Sequence, residues 1–191
     1  MSRKYVVDKD FKGDHFSESE LASTDFEACT FTSCVFSDTK LDQTSFSECE
    51  FKGCDFSGAK LQHTSFQDVQ FVDCKLIGLR FDYCNDFLLA MNFKSCQLNL
   101  SSFYQLNLKN SSFESCSLKE VDFTEADLSE LVLDSCDLSQ AIFDQSILEK
   151  TDFRTASNYN LRLENNRIKG SKFSTSGLMG LLSHHDIEIE E

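Results

Sequence analysis

Proline and tryptophan are absent from all 191 residues of this chain. Without proline, few sharp turns are fixed by a locked φ, and an unusually uniform backbone is expected. Long apolar runs are missing too. No stretch approaches the ~18–20 apolar residues that span a bilayer, so no membrane segment is expected. The start, Met1 to Tyr5, has no apolar run behind it. No signal peptide is therefore expected, and the cytoplasm is the default. Positive charge is scarce, with 18 Lys and Arg against 32 Asp and Glu, a net charge of −14. So acidic a surface repels phosphate, which argues against nucleic acid as a direct ligand. It favours solubility and a basic partner surface.

What is present is a period of five. Stepping by five from Phe11 to Phe81 gives 15 positions, all Phe or Leu, and stepping from Phe93 to Phe153 gives 13 more. Phe and Leu make up only 41 of the 191 residues, so 28 hits in 28 positions is not chance. Two residues before each large apolar position comes a small one, as at Cys29, Cys34, Thr39, Thr44, Cys49, Cys54, Ala59, Thr64 and Cys74. A period of five fits neither an α-helix nor a simple strand. Cys34, Cys54, Cys74, Cys96, Cys116 and Cys136 recur at spacings of 20, 20, 22, 20 and 20, which points to four repeats per turn of a stacked coil. Columns of like side chains are what solenoid stacking favours, because each repeat touches only its neighbours.

This pattern over roughly residues 9–178 resembles the pentapeptide repeat family. The resemblance implies an all-β fold: a right-handed, quadrilateral parallel β-helix, with the small residue and the Phe or Leu pointing inward. The whole chain, 1–191, then reads as one solenoid. At four repeats per turn it has between eight and nine turns, roughly 40 Å long at ~4.8 Å per turn.

Two extra residues enter between Phe81 and Phe93, within 82–92. Either one side carries seven residues with Leu88 inward, or two sides carry six with Phe87 inward; keeping Phe inside favours the second. Both give a bulge, a feature common beside functional sites. Toward the C-terminus Asn158 falls on a core position, and Leu163, Ile168 and Phe173 resume the register. Leu178, Leu181 and Leu182 have i, i+3, i+4 spacing, so a short helix is expected within 177–191, followed by a strand-like tail from Asp186 to Glu190. This segment caps the last turn. By resemblance to the Qnr-type quinolone-resistance branch of the family, it also forms a homodimer interface through Leu178, Met179, Leu181, Leu182, Ile187 and Ile189.

Catalytic and metal chemistry find no support. Eight of the nine cysteines fit the small inward position, where Cys behaves as a small hydrophobe, and Cys84 alone has no assigned place. His15 and His63 fall at outward positions on different turns, and His184–His185 lie beyond the terminal helix. A core packed with Phe offers no pocket to desolvate acidic pairs such as Glu48 and Glu50. No enzyme activity, cofactor or metal is expected.

Three functions remain open. A dimer about 80 Å long would carry twice −14, or −28 charges, within a factor of two of the ~1.7 Å per charge of duplex DNA. Resemblance to the Qnr-type proteins implies a DNA mimic that binds DNA gyrase or topoisomerase IV, though the register leaves no room for the long loops of the Gram-negative members. Its contacts would run through Asp25, Glu27, Glu48 and Asp68. The second reading is a generic interaction scaffold contacted at the bulge, through Val72, Ile77, Tyr83, Asp86, Leu89, Leu100 and Tyr104. The third is a rod that spaces two partners.

Overall fold

The computed structural model describes residues 3–185 and 187–188. They form a four-sided parallel β-helix of about seven turns with a short C-terminal helix. The first face is a seven-stranded parallel sheet of β2 (Asp10–Lys12), β4 (Thr30–Thr32), β6 (Glu50–Lys52), β8 (Val69–Val72), β9 (Met91–Lys94), β10 (Ser112–Glu114) and β11 (Leu133–Asp134). The repeat count gives more turns because two further rungs on this face, at Asp152 and Lys172, pair only as isolated bridges. The fourth face is the four-stranded sheet β1 (Lys4–Val7), β3 (Thr24–Glu27), β5 (Ser45–Ser47) and β7 (Ser65–Gln67). The second and third faces are held by single bridges such as Val35↔Asp55 and Ser102↔Asp122. A one-turn helix, α1 (Glu18–Leu21), begins at the capping box of Ser17 and Glu20.

The period of five has a direct physical cause. Each Phe or Leu of the register points into the core, and from Leu21 to Phe153 all are buried. The residue two positions later takes a left-handed φ near +55° and turns the corner, as at Ser33, Glu48, Gly53 and Asp68. The small inward residue is a donor as well as a filler. Thr44 Oγ1 donates to the Leu21 carbonyl at 2.9 Å and Thr64 Oγ1 to Leu41 at 2.9 Å, and Ser146 Oγ donates to Phe123 at 2.8 Å. The rings stack along the axis, with Phe31–Phe51 at 4.7 Å and Phe36–Phe56 at 4.4 Å, and meet edge-on between faces, as Phe46–Phe51 at 78°. Offset stacks and edge contacts are the two preferred aromatic arrangements.

Two expectations about the core are corrected. Asn158 is exposed, at φ +59°, and its amide donates to Asp137 at 2.8 Å. Asparagine tolerates the left-handed region and gains a polar partner outside. Tyr159 and Leu161 are buried in its place. Neither inward residue expected at the bulge holds either, since Phe87 and Leu88 are 66% and 64% exposed, although one side does carry both extra residues. The bridge Ser65↔Asn85 keeps the register through Asp86, and Val69 pairs with Met91, so the two extra residues enter after Asp86. There the chain makes a β-turn. Leu89 N–H donates to the Asp86 carbonyl, Phe87 and Leu88 occupy the tip, and Leu88 has φ +57°.

Candidate functional site: the mid-rod turn and the acidic face

The mid-rod site follows from one missing core residue. Asp86 stands in register with Phe66 but is exposed, because a carboxylate cannot enter this apolar core without a partner. Leu89 turns inward instead and is only 4% exposed. That corrects its place in the proposed surface patch. Leu79 and Leu106 hold small inward positions on adjoining faces and are likewise buried. Cys84, the cysteine without an assigned place, lies in register above Thr64, partly covered, and burial pushes its thiol up.

Outside this repacked core lies a cleft of about 440 Å³ lined by Arg80, Asp82, Tyr83, Cys84, Asp86, Tyr104, Gln105 and Leu106. Arg80 binds the Asp82 carboxylate through Nε at 2.9 Å and Nη2 at 2.6 Å, and this bond raises its pKa further. Its guanidinium carbon sits 4.5 Å from the centre of the Tyr83 ring. Tyr104 donates its hydroxyl to Glu125 at 3.2 Å. Of the residues assigned to this patch, Tyr83, Asp86 and Tyr104 come together here. Val72 and Ile77 are half-buried on the first and second faces, and Leu100, 57% exposed, stands at the corner between the second and third. They are not part of one surface. Sequence reasoning missed Arg80, Phe87 and Leu88. The available signal was Cys84-Asn85-Asp86 continuing the step of five beyond Phe81, which puts the insertion after Asp86.

The acidic residues do share a face. Asp25 and Glu27 flank Phe26 on β3, and Glu48 and Asp68 occupy successive corners of the same side. Asp25 is neutralised by Arg3 at 2.9 Å. Glu27, Glu48 and Asp68 are exposed and have no ion pair among the described residues. Ser45, Ser47, Ser65 and Gln67 lie between them. The result is a strip of uncompensated charge over short side chains.

At the C-terminus, α2 (Met179–Leu182) follows a 3-10 turn. The helix rests directly on Tyr159. A Cβ at Gly180 would meet the Tyr159 carbonyl oxygen at 1.9 Å, and one at Gly177 would meet its hydroxyl at 1.7 Å. Leu161 N–H donates to the Gly180 carbonyl at 3.1 Å and Ser183 Oγ to Asn160 at 2.8 Å. Of the residues assigned to a dimer interface, Leu181 is buried against the chain's own core, which corrects its assignment to a free surface. Leu182 is half-buried, Leu178, Met179 and Ile187 are exposed, and Ile189 lies outside the described residues. Ile187 and Glu188 are not in a strand.

All nine cysteines are free thiols. Burial raises Cys34 and pushes Cys49 up to about 12. Such thiols stay protonated and unreactive at neutral pH. Among the described residues no group of three or more His, Cys, Asp or Glu is placed to hold a metal, and no helix is long and apolar enough to cross a membrane.

Comparison with known proteins agrees with this geometry. A model of the pentapeptide repeat region matches residues 44–123, and one of pentapeptide repeats, in eight copies, matches 122–157. A model of the SV2A/B/C luminal domain matches residues 4–81. No curated protein matches the sequence. Among solved structures, the chain is similar to HetL, a pentapeptide repeat protein involved in heterocyst differentiation regulation in the cyanobacterium Nostoc sp. strain PCC 7120. Identity is 17%, 91% of this chain and 85% of HetL are covered, and the TM-score is 0.64. A trypsin-treated variant of QnrB1, a plasmid-mediated fluoroquinolone resistance protein, aligns at 18% identity over 100% of both chains with a TM-score of 0.48. At these identities the likeness is one of fold. With its repeats matched across residues 44–157 and each pentapeptide forming one side of the coil, the chain belongs to the pentapeptide repeat family.

Proposed function

We propose that this chain is a non-enzymatic binding protein whose acidic fourth face engages a basic protein surface, and that the partner is a type II topoisomerase, DNA gyrase or topoisomerase IV, met in the manner of a DNA mimic. The observation that carries this reading is the strip of Glu27, Glu48 and Asp68, uncompensated on one side of a rod with net charge −14. Regularly spaced carboxylates on a stiff support present a potential of the kind a DNA-binding saddle attracts. Nine free thiols suit a reducing compartment, the cytoplasm. Exposed Leu178, Met179 and Ile187 suit pairing with a second copy end to end.

The test is supercoiling by purified gyrase in a ciprofloxacin titration, with the protein added from sub-stoichiometric to large excess. Inhibition at high protein or rescue from drug at low protein is the expected result. No effect at large excess overturns the topoisomerase partner. A second reading, a scaffold for another protein, is favoured by the Arg80–Tyr83–Tyr104 cleft. Loss of partner binding on Tyr83→Ala and Tyr104→Ala, with Glu48→Gln and Asp68→Asn silent, would select it.

A further inference from the structure

The fourth face carries more than charge. Of the large apolar side chains exposed on the rod, four lie along this side. Tyr5 is 74% and Val7 51% exposed at its first rung, and Phe87 and Leu88 are 66% and 64% exposed at the tip of the mid-rod turn. Tyr5 and Val7 point outward because Val6, between them on β1, points in. The Phe87–Leu88 tip stands at the fifth rung, fixed there by the Ser65↔Asn85 bridge, by Gln67 Nε2 donating to the Phe87 carbonyl and by the Asn85 side chain accepting from Phe87 N–H. Between the two apolar ends lie Glu27, Glu48 and Asp68, one on each intervening rung.

We infer that this stretch of the fourth face, from Tyr5 to Leu88, is a docking surface for a basic amphipathic helix of a partner protein, lysines or arginines over the carboxylates and an apolar anchor at each end. The inference rests on the acidic-face reading and gives it a shape. Two observations select a helix. The charge is complementary to a basic segment, since the three carboxylates have no cation of their own. The spacing also matches. Rungs repeat every ~4.8 Å, and an α-helix lying along the rod axis advances 5.4 Å per turn. Residues three or four apart on one helical face therefore meet successive rungs, whereas alternate residues of an extended strand, ~6.6 Å apart, fall out of step. Four rung intervals span about 19 Å. Helix positions fourteen apart lie on one face and about 21 Å apart, so two anchors reach Tyr5/Val7 and Phe87/Leu88 together. Serines and Gln67 under the charges leave the floor low enough for the helix to lie down. Most corners at this left-handed φ carry a polar residue or glycine, as at Ser33, Glu48, Asp68 and Gly53, whereas Leu88 at φ +57° places a large apolar side chain there. Its exposed side chain is the feature that choice supplies.

The experiment uses a fluorescent helical peptide of about 17 residues, alanine-rich, with leucines fourteen apart and lysines between them at helix-face positions. A control of equal composition has its leucines seven apart. Anisotropy at low salt should give tighter binding for the first peptide. Phe87→Ser with Leu88→Ser should weaken it about tenfold, as should Glu48→Gln with Asp68→Asn. Val132→Ser with Ile142→Ser, which removes exposed apolar residues of other faces (52% and 51%), should change nothing. All six side chains are exposed or at corners, so the variants fold. Equal loss from the Val132/Ile142 pair, or equal binding of the two peptides, overturns the inference. Loss through the acidic pair with none through Phe87 and Leu88 also overturns it, yet leaves the acidic-face reading standing. Peptide binding as expected with an inert gyrase assay supports the surface and removes the topoisomerase partner.

Discussion

The rod changes its core over the turn of coil from Leu76 to the mid-rod turn. Up to Phe71, Phe fills the first, second and fourth faces and Leu the third, as in Phe51, Phe56, Phe46 and Leu41. From Leu76 and Phe81 onward, Phe keeps the first face except at Leu133 and moves to the third, and Leu takes the second and fourth, as in Phe113, Phe123, Leu118 and Leu108. The N-terminal half is thus a continuous herringbone in which Phe51 stacks on Phe31 and Phe71 and takes the edges of Phe36, Phe46 and Phe56. In the C-terminal half Phe113 stacks on Phe93 and meets only Phe103 and Phe123 edge-on. The surface differs along the fourth face. Ion pairs occur in both halves, as Arg3–Asp25 and Arg80–Asp82 in one and Lys109–Asp127, Lys119–Asp137, Lys150–Glu130, Arg154–Asp152 and Arg167–Glu149 in the other, while Glu27, Glu48 and Asp68 stay unpaired on the N-terminal stretch of the fourth face. One half packs rings on three faces and leaves the acids of its fourth face unpaired; the other alternates rings with leucines and holds more of its acids in ion pairs. The turn at Asp86–Leu89 sits where the two cores meet and would otherwise mismatch, Phe66 above one and Leu108 below.

If the aromatic lattice matters beyond its area, the halves should respond unequally to truncation. Phe51→Ala should cost about 4 kcal/mol and Leu118→Ala about 3 kcal/mol, both read by urea denaturation. Both side chains are fully buried. Equal losses would show that ring stacking adds nothing to burial. The next largest effect belongs to the C-terminal end. Gly180→Ala drives a methyl group into the Tyr159 carbonyl and should cost about 2–3 kcal/mol by lifting α2 off the last turn. Because a solenoid couples only neighbours, hydrogen exchange should rise near Tyr159 and Leu161 and stay unchanged around Phe51. A uniform rise would make the rod one cooperative unit and erase the distinction between its halves.

The fold was legible because every turn uses the same inward pair, so the period appears in the composition of single positions. What escaped was whatever broke the period by geometry instead of by residue type. Asn158 falls on a core number but not in the core, because its left-handed φ turns the chain there and Tyr159 packs against Phe153 and Phe173. Hydrophobicity alone puts Phe87 inside, yet Leu89 is the residue that the β-turn returns to the core. The acidic strip was readable from register arithmetic; the ion pairs that distinguish Asp25 from Glu27 were not, since Arg3 comes from the preceding turn. Leu89→Ala tests the corrected plug directly. It should cost about 2 kcal/mol and loosen exchange at Cys84, Asn85 and Met91 first. No change there would return the plug to Met91 alone.

Acid should separate the halves more gently. Burial works against Asp137, yet Asn158, Ser139 and Lys119 hold its carboxyl well below the usual range. Arg154 does the same for Asp152, and Lys150 for Glu130. These groups titrate lower in the folded chain than in the unfolded one. Their stabilisation is therefore present above the ordinary carboxylate range and is lost as pH falls below that range through the lowered folded values. Exchange protection in the C-terminal half should fall first across that window, and simultaneous loss in both halves would show that the pairing contributes nothing there.

The smallest effect is the most informative about the turn between the halves. Leu88 holds a left-handed φ that costs a side chain about 1–2 kcal/mol, and its 64% exposure recovers little by burial. Glycine would remove that strain but loosen the unfolded chain by about 0.5–1 kcal/mol, so Leu88→Gly should stabilise the rod by about 0.5 kcal/mol. Leu100→Gly, at φ +63° and 57% exposure, should do the same. The two differ only in binding: Leu88→Gly should weaken the basic helix and Leu100→Gly should not. A variant that is more stable and binds less well identifies a side chain kept against the fold's own preference. If thermal melting instead shows Leu88→Gly destabilised, the leucine packs on the rod, and the turn is a splice between two cores with no partner of its own.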